Sequence, residues 1–381
     1  MLLRRALRQS QHLIRAAGFA GPASARPLLP PPPPRARLLS TMAPKAKVIY
    51  MAKNFVGEPK PSDFQLKEEA LPDLKDGEIL CEAEWLSVDP YMRAYMVRYP
   101  PGTRMIGGQV AKVLQSKNKG FNVGDYVVGY LGWASRVVVN PDTTKGDMTA
   151  GDVEKVRHTD VPLSYALGVL GMPGATAYFG FLELCQPKEG ETVVVNGAAG
   201  AVGMLVGQIA KIKGCRVIGF AGSESKCAWL KDTLGFDHAF NYKTCNINNA
   251  LKEAAPKGVD CFFDNVGGTM SSIILTHMNL FGRVSVCGAI SAYNAEMSNP
   301  PMAPVVQGSM VFKQLKMEGF VVSRWRSRFP EALDQMYAWI KEGKLKYQEH
   351  VYEGFENMPN ALIGLLRGEN TGKAVVKVAK L

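Results

Sequence analysis

Between residues 192 and 203 an apolar run gives way to a glycine-spaced turn, Thr192-Val193-Val194-Val195-Asn196-Gly197-Ala198-Ala199-Gly200-Ala201-Val202-Gly203. Behind it, Val202, Leu205, Val206, Ile209 and Ile212 recur at helical spacing. Consecutive valines suit a strand buried on both faces, which in turn needs helices to cover it. The stretch therefore reads as strand, tight turn and helix, the unit of a parallel α/β sheet. Glycines let another molecule approach the backbone closely, and the helix N-terminus offers unpaired N–H groups to a pyrophosphate. The spacing is G-x-x-G-x-x-G, not the commoner G-x-G-x-x-G, and the strand–turn–helix context is what makes it a dinucleotide signal.

The surrounding chain repeats the pattern. Apolar strands are predicted at 192–196, 216–220, 239–241, 261–264, 284–287 and 317–322, separated by helix-length amphipathic stretches. Residues 48–168 differ, with short apolar runs broken by Gly, Pro, Asn and Asp. Glu78-Ile79-Leu80-Cys81-Glu82-Ala83, Gln109-Val110-Ala111-Lys112-Val113-Leu114 and Tyr126-Val127-Val128-Gly129 read as strands of a mostly antiparallel barrel. Beyond Phe329 come a helix at 331–341, a strand near 347–351, another helix and a strand at 374–378. This tail (329–381) is expected to return to the first domain (48–168), so that the nucleotide domain (169–328) is inserted between its two parts. The fold class is α/β, a doubly wound parallel sheet inserted in a mostly β domain.

A formal net charge of +11 raises nucleic acid or an anionic membrane as partners. Its location argues against both. Residues 1–47 contain nine of the Lys and Arg side chains and no acid precedes Glu58, so the rest of the chain carries only about +2. Residues 1–47 read as an Arg-rich, acid-free leader with Leu3, Leu7, Leu13 and Ile14 among the arginines, followed by Pro30 to Pro34. A used leader of this kind implies the mitochondrial matrix, whereas a start at Met42 implies the cytoplasm. No apolar run approaches the ~20 residues of a membrane span. Seven dispersed cysteines, without a C-x-x-C pair, suggest reduced thiols.

The second strand selects the nicotinamide. Arg216-Val217-Ile218-Gly219-Phe220-Ala221-Gly222-Ser223 lacks the terminal acid that would bond adenosine ribose hydroxyls. Ser223 and Lys226 instead offer a hydroxyl and a cation to a 2′-phosphate, which favours NADPH. In open α/β sheets ligands gather at the carboxyl ends of the strands, where Asn265, Cys287 and Tyr293 fall. Cys287, with no nearby His, reads as a packing residue and not a nucleophile. His12, His158, His238, His277 and His350 form no ligand-like cluster, so no metal is expected.

Together these residues resemble the zinc-independent medium-chain dehydrogenase/reductase superfamily, and within it the prostaglandin and alkenal double-bond reductases. The markers include Val88-Asp89-Pro90-Tyr91-Met92-Arg93, Gly171-Met172-Pro173-Gly174, Asn241-Tyr242-Lys243, Asp264-Asn265-Val266-Gly267-Gly268, Cys287-Gly288-Ala289-Ile290-Ser291 and Gly368-Glu369-Asn370-Thr371-Gly372-Lys373. A zinc enzyme of this layout would carry a Cys and a Gly-His-Glu segment where this chain reads Leu86-Ser87-Val88-Asp89-Pro90 and Gly107-Gly108-Gln109.

The resemblance implies a Rossmann domain inserted in a GroES-like barrel, and a homodimer. It implies NADPH contacts at Gly200, Ala201, Val202, Gly203, Lys226, Tyr242, Asn265, Cys287, Gly288, Ala289, Ile290, Ser291, Ala292, Tyr293, Phe320, Val321, Val322 and Asn370. The implied reaction is reduction of the carbon–carbon double bond of α,β-unsaturated ketones and aldehydes, such as 15-oxo-prostaglandins and lipid-derived alkenals. Oxidation of 12-hydroxy eicosanoids such as leukotriene B4 is a second implied activity. Without a metal the acceptor must already be electrophilic, and a neutral donor should hold its oxygen. Tyr293 is the expected catalytic donor and Tyr91 the expected substrate contact. The alternatives are a quinone reductase of the same superfamily and a non-catalytic NADPH-binding protein.

Overall fold

The computed structural model describes residues 45–143, 151–295 and 299–378. The presequence reading falls on residues outside this set, apart from its last three. There the structure differs from expectation. The first strand, β1 (Lys45–Met51), begins at Lys45, and Lys47 pairs with Glu356 at 2.5 Å. Alternating burial of Ala46, Val48 and Ile49 draws these lysines into the sheet, with their charged ends outside.

β1 pairs antiparallel with β2 (Phe64–Ala70). A larger sheet is built from β3 (Ile79–Ser87), β4 (Gly108–Ser116), β5 (Tyr126–Tyr130), β6 (Arg136–Val139) and β7 (Gly151–Lys155). β3 pairs antiparallel with both β4 and β6, and β5 with β4 and β7. Helix α1 (Tyr91–Met96) leaves the end of β3, and Met92 and Met96 pack into a core with Trp133.

After α2 (Met172–Leu182) the chain changes period. The strands β8 (Thr192–Val195), β9 (Arg216–Ala221), β10 (His238–Asn241), β11 (Val259–Asp264), β12 (Met278–Val286) and β13 (Lys316–Gly319) alternate with helices. These are α3 (Gly203–Ile212), α4 (Glu224–Asp232), α5 (Ile247–Ala254), α6 (Gly268–Thr276) and α7 (Gln307–Phe312). The sheet is parallel throughout, in the order β10-β9-β8-β11-β12-β13. Counted from its own first strand, that is 3-2-1-4-5-6, the doubly wound order in which ligands lie where the order reverses. Here that point lies between the ends of β8 and β11. Leu205, Val206 and Ile209 of α3 are fully buried over Val193 and Val217, as their spacing predicts.

The chain then forms α8 (Phe329–Lys341), β14 (Glu349–Glu353), α9 (Met358–Leu366) and β15 (Lys373–Lys377). β15 pairs antiparallel with β3 and parallel with β14, so both strands belong to the first sheet. β13 ends at Gly319, three residues short of the predicted boundary, and β12 ends one residue short. Phe320 to Val322 and Cys287 therefore lie past the strand tips, on the ligand side.

Candidate active site

One cavity of about 1340 Å³ runs along the strand tips of the parallel sheet and under the first sheet's β3–α1 turn. Such a volume exceeds the ~300–1,000 Å³ of a typical small-molecule site and suits a dinucleotide together with a second molecule. Its wall includes Gly200, Ala201, Val202, Gly203, Lys226, Tyr242, Asn265, Cys287, Gly288, Ile290, Ser291, Tyr293, Phe320, Val321, Val322 and Asn370. Tyr91 lies on the same wall. Ala289 and Ala292 do not line it. They sit in the single 3-10 turn around Ile290–Ala292, and the Ala289 N–H faces Tyr293 instead.

The glycine turn is shaped for close approach. A Cβ on Gly203 would stand 2.4 Å from the Gly197 carbonyl oxygen, so only glycine lets α3 start there. The neighbouring loop after β11 is held by Asn196 and Asp264, both buried. Asn196 Nδ2 donates to Asp264 Oδ1 at 2.7 Å, and Asp264 Oδ1 accepts from the Val266 and Gly267 N–H groups at 3.0 and 2.9 Å. The Asn265 side chain donates to Asn196 O at 2.8 Å, so the two loops are one rigid rim. This cradle fits a dinucleotide pyrophosphate.

At the end of β9 the 2′-phosphate reading is altered in one detail. Ser223 is not on the cavity wall; its hydroxyl caps α4 by accepting from the Lys226 N–H. Lys243, in place of Ser223, lines the cavity with Lys226. Lys243 Cε and the Tyr242 hydroxyl lie 3.5 and 3.3 Å from where a Gly222 Cβ would be, so the glycine leaves an opening beside them. Burial, and then the Lys243 charge, lower the Lys226 pKa. A bound dianion would relieve that repulsion. Asn241-Tyr242-Lys243 was visible in sequence as a marker, but β9–β10 pairing is what carries Lys243 to Lys226.

The cavity wall also carries Tyr91, Tyr95, Tyr130 and Tyr293. The Ala289 N–H faces the Tyr293 hydroxyl at 3.4 Å, and a Cβ on Gly288 would lie 3.0 Å from that oxygen. Burial raises the Tyr293 pKa, with smaller contributions from Cys287 and Tyr95. Tyr91 and Tyr95 contact each other with ring centroids 5.7 Å apart. The Tyr91 hydroxyl accepts from the Gly108 N–H, and burial holds it well above the usual phenol range. Burial also pushes the Cys287 thiol up to about 12, so it is a packing group and not a thiolate.

Two features of the marker at 368–373 had no role assigned by the sequence. Lys373 is fully buried: its Nζ donates to Val88 O and Ala374 O at 2.7 Å each and pairs with Asp89 Oδ1 at 3.2 Å. One residue earlier, the Gly372 N–H donates to Ala199 O at 2.8 Å. The segment at 370–373 thus ties the β3–α1 turn to the glycine loop. Among the described residues, no three His, Cys, Asp or Glu side chains gather where they could hold a metal ion.

Comparison with known proteins gives two family matches, an N-terminal domain of oxidoreductase at residues 47–146 and a zinc-binding dehydrogenase at residues 201–338. Prostaglandin reductase 1 of Bos taurus is 51% identical over 339 residues, which cover 87% of this chain and 99% of that protein. The 2-alkenal reductase (NADP(+)-dependent) of Nicotiana tabacum is 43% identical, covering 86% of this chain and 96% of the relative. Among solved structures, CurA in complex with NADPH from Vibrio vulnificus superposes with a TM-score of 0.81 at 39% identity. That match covers 88% of this chain and 100% of CurA.

Proposed function

This chain belongs to the medium-chain dehydrogenase/reductase superfamily, in the group of prostaglandin reductase 1, and we propose that it uses NADPH to reduce the double bond of lipid-derived enones. The observation that carries the reading is a single cavity joining the glycine cradle, the Lys226–Lys243 pair and the Tyr293 hydroxyl. The residues would hold the nucleotide by its pyrophosphate at Gly200 to Gly203 and by its 2′-phosphate at Lys226, Lys243 and Tyr242. Bound there, NADPH would supply a hydride to the β-carbon of the substrate, and the resulting enolate takes its α-carbon proton from water. The Tyr293 hydroxyl donates a hydrogen bond to the substrate carbonyl oxygen, which gains negative charge as the enolate forms. That bond is stronger in the transition state than in the ground state, so it accelerates the reaction and does not merely tighten binding. Tyr91 and Tyr95 give the acyl chain an apolar wall. No metal enters the scheme, since an enone needs no Lewis acid to accept hydride. The 15-oxo-prostaglandins and lipid alkenals are the substrates proposed, with 12-hydroxy eicosanoid oxidation as a second activity.

Following NADPH absorbance separates this reading from its rivals. Turnover with 15-oxo-prostaglandin or 4-hydroxynonenal is expected. Turnover of quinones alone would select a quinone reductase, and no turnover of either would select a binding protein. The cofactor assignment has its own test: Lys226→Ala and Lys243→Ala should each raise the KM for NADPH about tenfold and leave that for NADH nearly unchanged. Equal losses with both nucleotides would contradict a 2′-phosphate role.

The homodimer reading is supported by β13, an edge strand, and by Leu280, Phe281, Val311 and Phe312 exposed beside it; Phe312 is 84% exposed. An apolar patch next to a free edge suits edge-to-edge association. Light scattering should give twice the chain mass, and a monomer would count against it. No described helix is long and apolar enough to cross a membrane.

A further inference from the structure

We propose that Arg326 is the carboxylate anchor of the lipid cleft, receiving the free acid end of an enone fatty acid whose double bond lies at Tyr293. This rests on the double-bond-reductase reading and adds the chemistry of the substrate's far end.

Arg326 lies in the 3-10 helix Val322–Arg328, which continues directly from the cleft-lining Phe320, Val321 and Val322. It borders both the main cavity and an adjoining recess of about 100 Å³, whose lining combines Leu167, Leu170 and Leu333 with Asp152, Glu154 and Arg157. Its guanidinium sits over the Phe329 ring, 5.1 Å from the centroid, which fixes the plane of the donor fork. Among the described residues it donates to one side chain, through Nη2 to Glu154 Oε1 at 3.0 Å.

The geometry already accepts a carboxylate. The Glu154 side chain is 65% exposed, however, and an exposed pair of this kind is readily exchanged. A substrate acid entering from the apolar cleft would meet the same fork and could engage it through two parallel N–H donors. The other cations on the wall are committed elsewhere. Lys226 and Lys243 flank Gly222, and Arg367 is paired with Glu58. Asp89, an acid on the same wall, is neutralised by Lys373. Asp152 also lines the wall and has a partner of its own.

Tyrosines connect the two ends. Tyr130, Tyr91, Tyr95 and Tyr293 line the same cavity as Arg326, and the Tyr91 and Tyr95 rings are in contact. An amphipathic wall therefore leads from the reacting carbonyl to a cation, which suits a chain that is apolar in the middle and anionic at its end.

The test compares a 15-oxo-prostaglandin with its methyl ester, using wild type, Arg326→Gln and Glu154→Gln. Arg326→Gln should raise the ratio of KM for the acid to KM for the ester about tenfold. Glu154→Gln, which removes the competing carboxylate, should lower the same ratio. A ratio unmoved by Arg326→Gln would overturn the anchor. Failure of wild type to reduce either the acid or the ester would overturn the reductase reading, and the anchor with it.

Discussion

Tyr293→Phe is expected to lower kcat for enone reduction about 100-fold, the scale on which a single donor to a developing oxyanion acts. Affinity for NADPH should change far less. Phenylalanine keeps the ring against Gly288 and the 3-10 turn, and removes the donor together with the acceptor of the 3.4 Å contact from the Ala289 N–H. The pH profile gives an independent reading. A hydroxyl must keep its proton to donate, and burial raises the Tyr293 pKa above its ordinary value of 10.0. The active form is therefore present below that value and lost only as pH rises through the higher folded-state value. Any limb in kcat due to this residue should lie above pH 10, and Tyr293→Phe should abolish it. An unchanged kcat would remove Tyr293 from the mechanism. Tyr91→Phe should cost less, because the Tyr91 hydroxyl already accepts from Gly108 and mainly shapes the wall.

Lys373→Met is expected to destabilise the folded protein by about 3–5 kcal/mol, the usual cost of stripping one partner from a buried ion pair. Asp89 is only 5% exposed and would be left with Ser87 as its remaining side-chain donor. The carbonyls of Val88 and Ala374 would also lose their Nζ donor. Methionine nearly matches the lysine stem in volume, so the loss is electrostatic and not a packing defect. The double variant Asp89→Leu/Lys373→Met should recover much of the stability, because no unpaired charge remains buried. Denaturant unfolding at fixed protein concentration measures both. A shift under about 0.5 kcal/mol for the single variant would mean that water reaches Asp89. Because the same segment joins Ala199 to the β3–α1 turn, this buried pair also sets how the glycine loop faces Tyr91.

What could be read from sequence follows from which interactions are local. The β8–α3 unit announced itself because consecutive valines, three spaced glycines and a 3.6-residue apolar period lie within about two dozen residues. The later strands were found for the same reason, although β12 begins at Met278, six residues before its expected start at Val284. The end of a strand depends on whether its neighbour is still there to pair, as at Gly319, and the sequence of that strand does not encode it alone. Lys45 was assigned to the leader by charge, while its place in β1 depends on pairing with Ala70. Tyr293 was legible because it follows a strand tip by a few residues. Arg326 was not, and Lys243 and Lys373 stood only inside marker segments, with no role of their own. Each looks like a surface cation until tertiary pairing brings it beside Lys226, Asp89 or the cleft. Ser223 shows the converse: a hydroxyl placed by motif beside a phosphate site is used instead to cap α4.

The central claim is that hydride reaches the β-carbon of an enone while Tyr293 holds the carbonyl oxygen. Reduction of a 15-oxo-prostaglandin with NADPH deuterated at the transferring position tests it most directly, with the product read by NMR. A saturated ketone carrying deuterium on the former β-carbon is expected. Deuterium on the carbonyl carbon, in an allylic alcohol with its double bond intact, would contradict it.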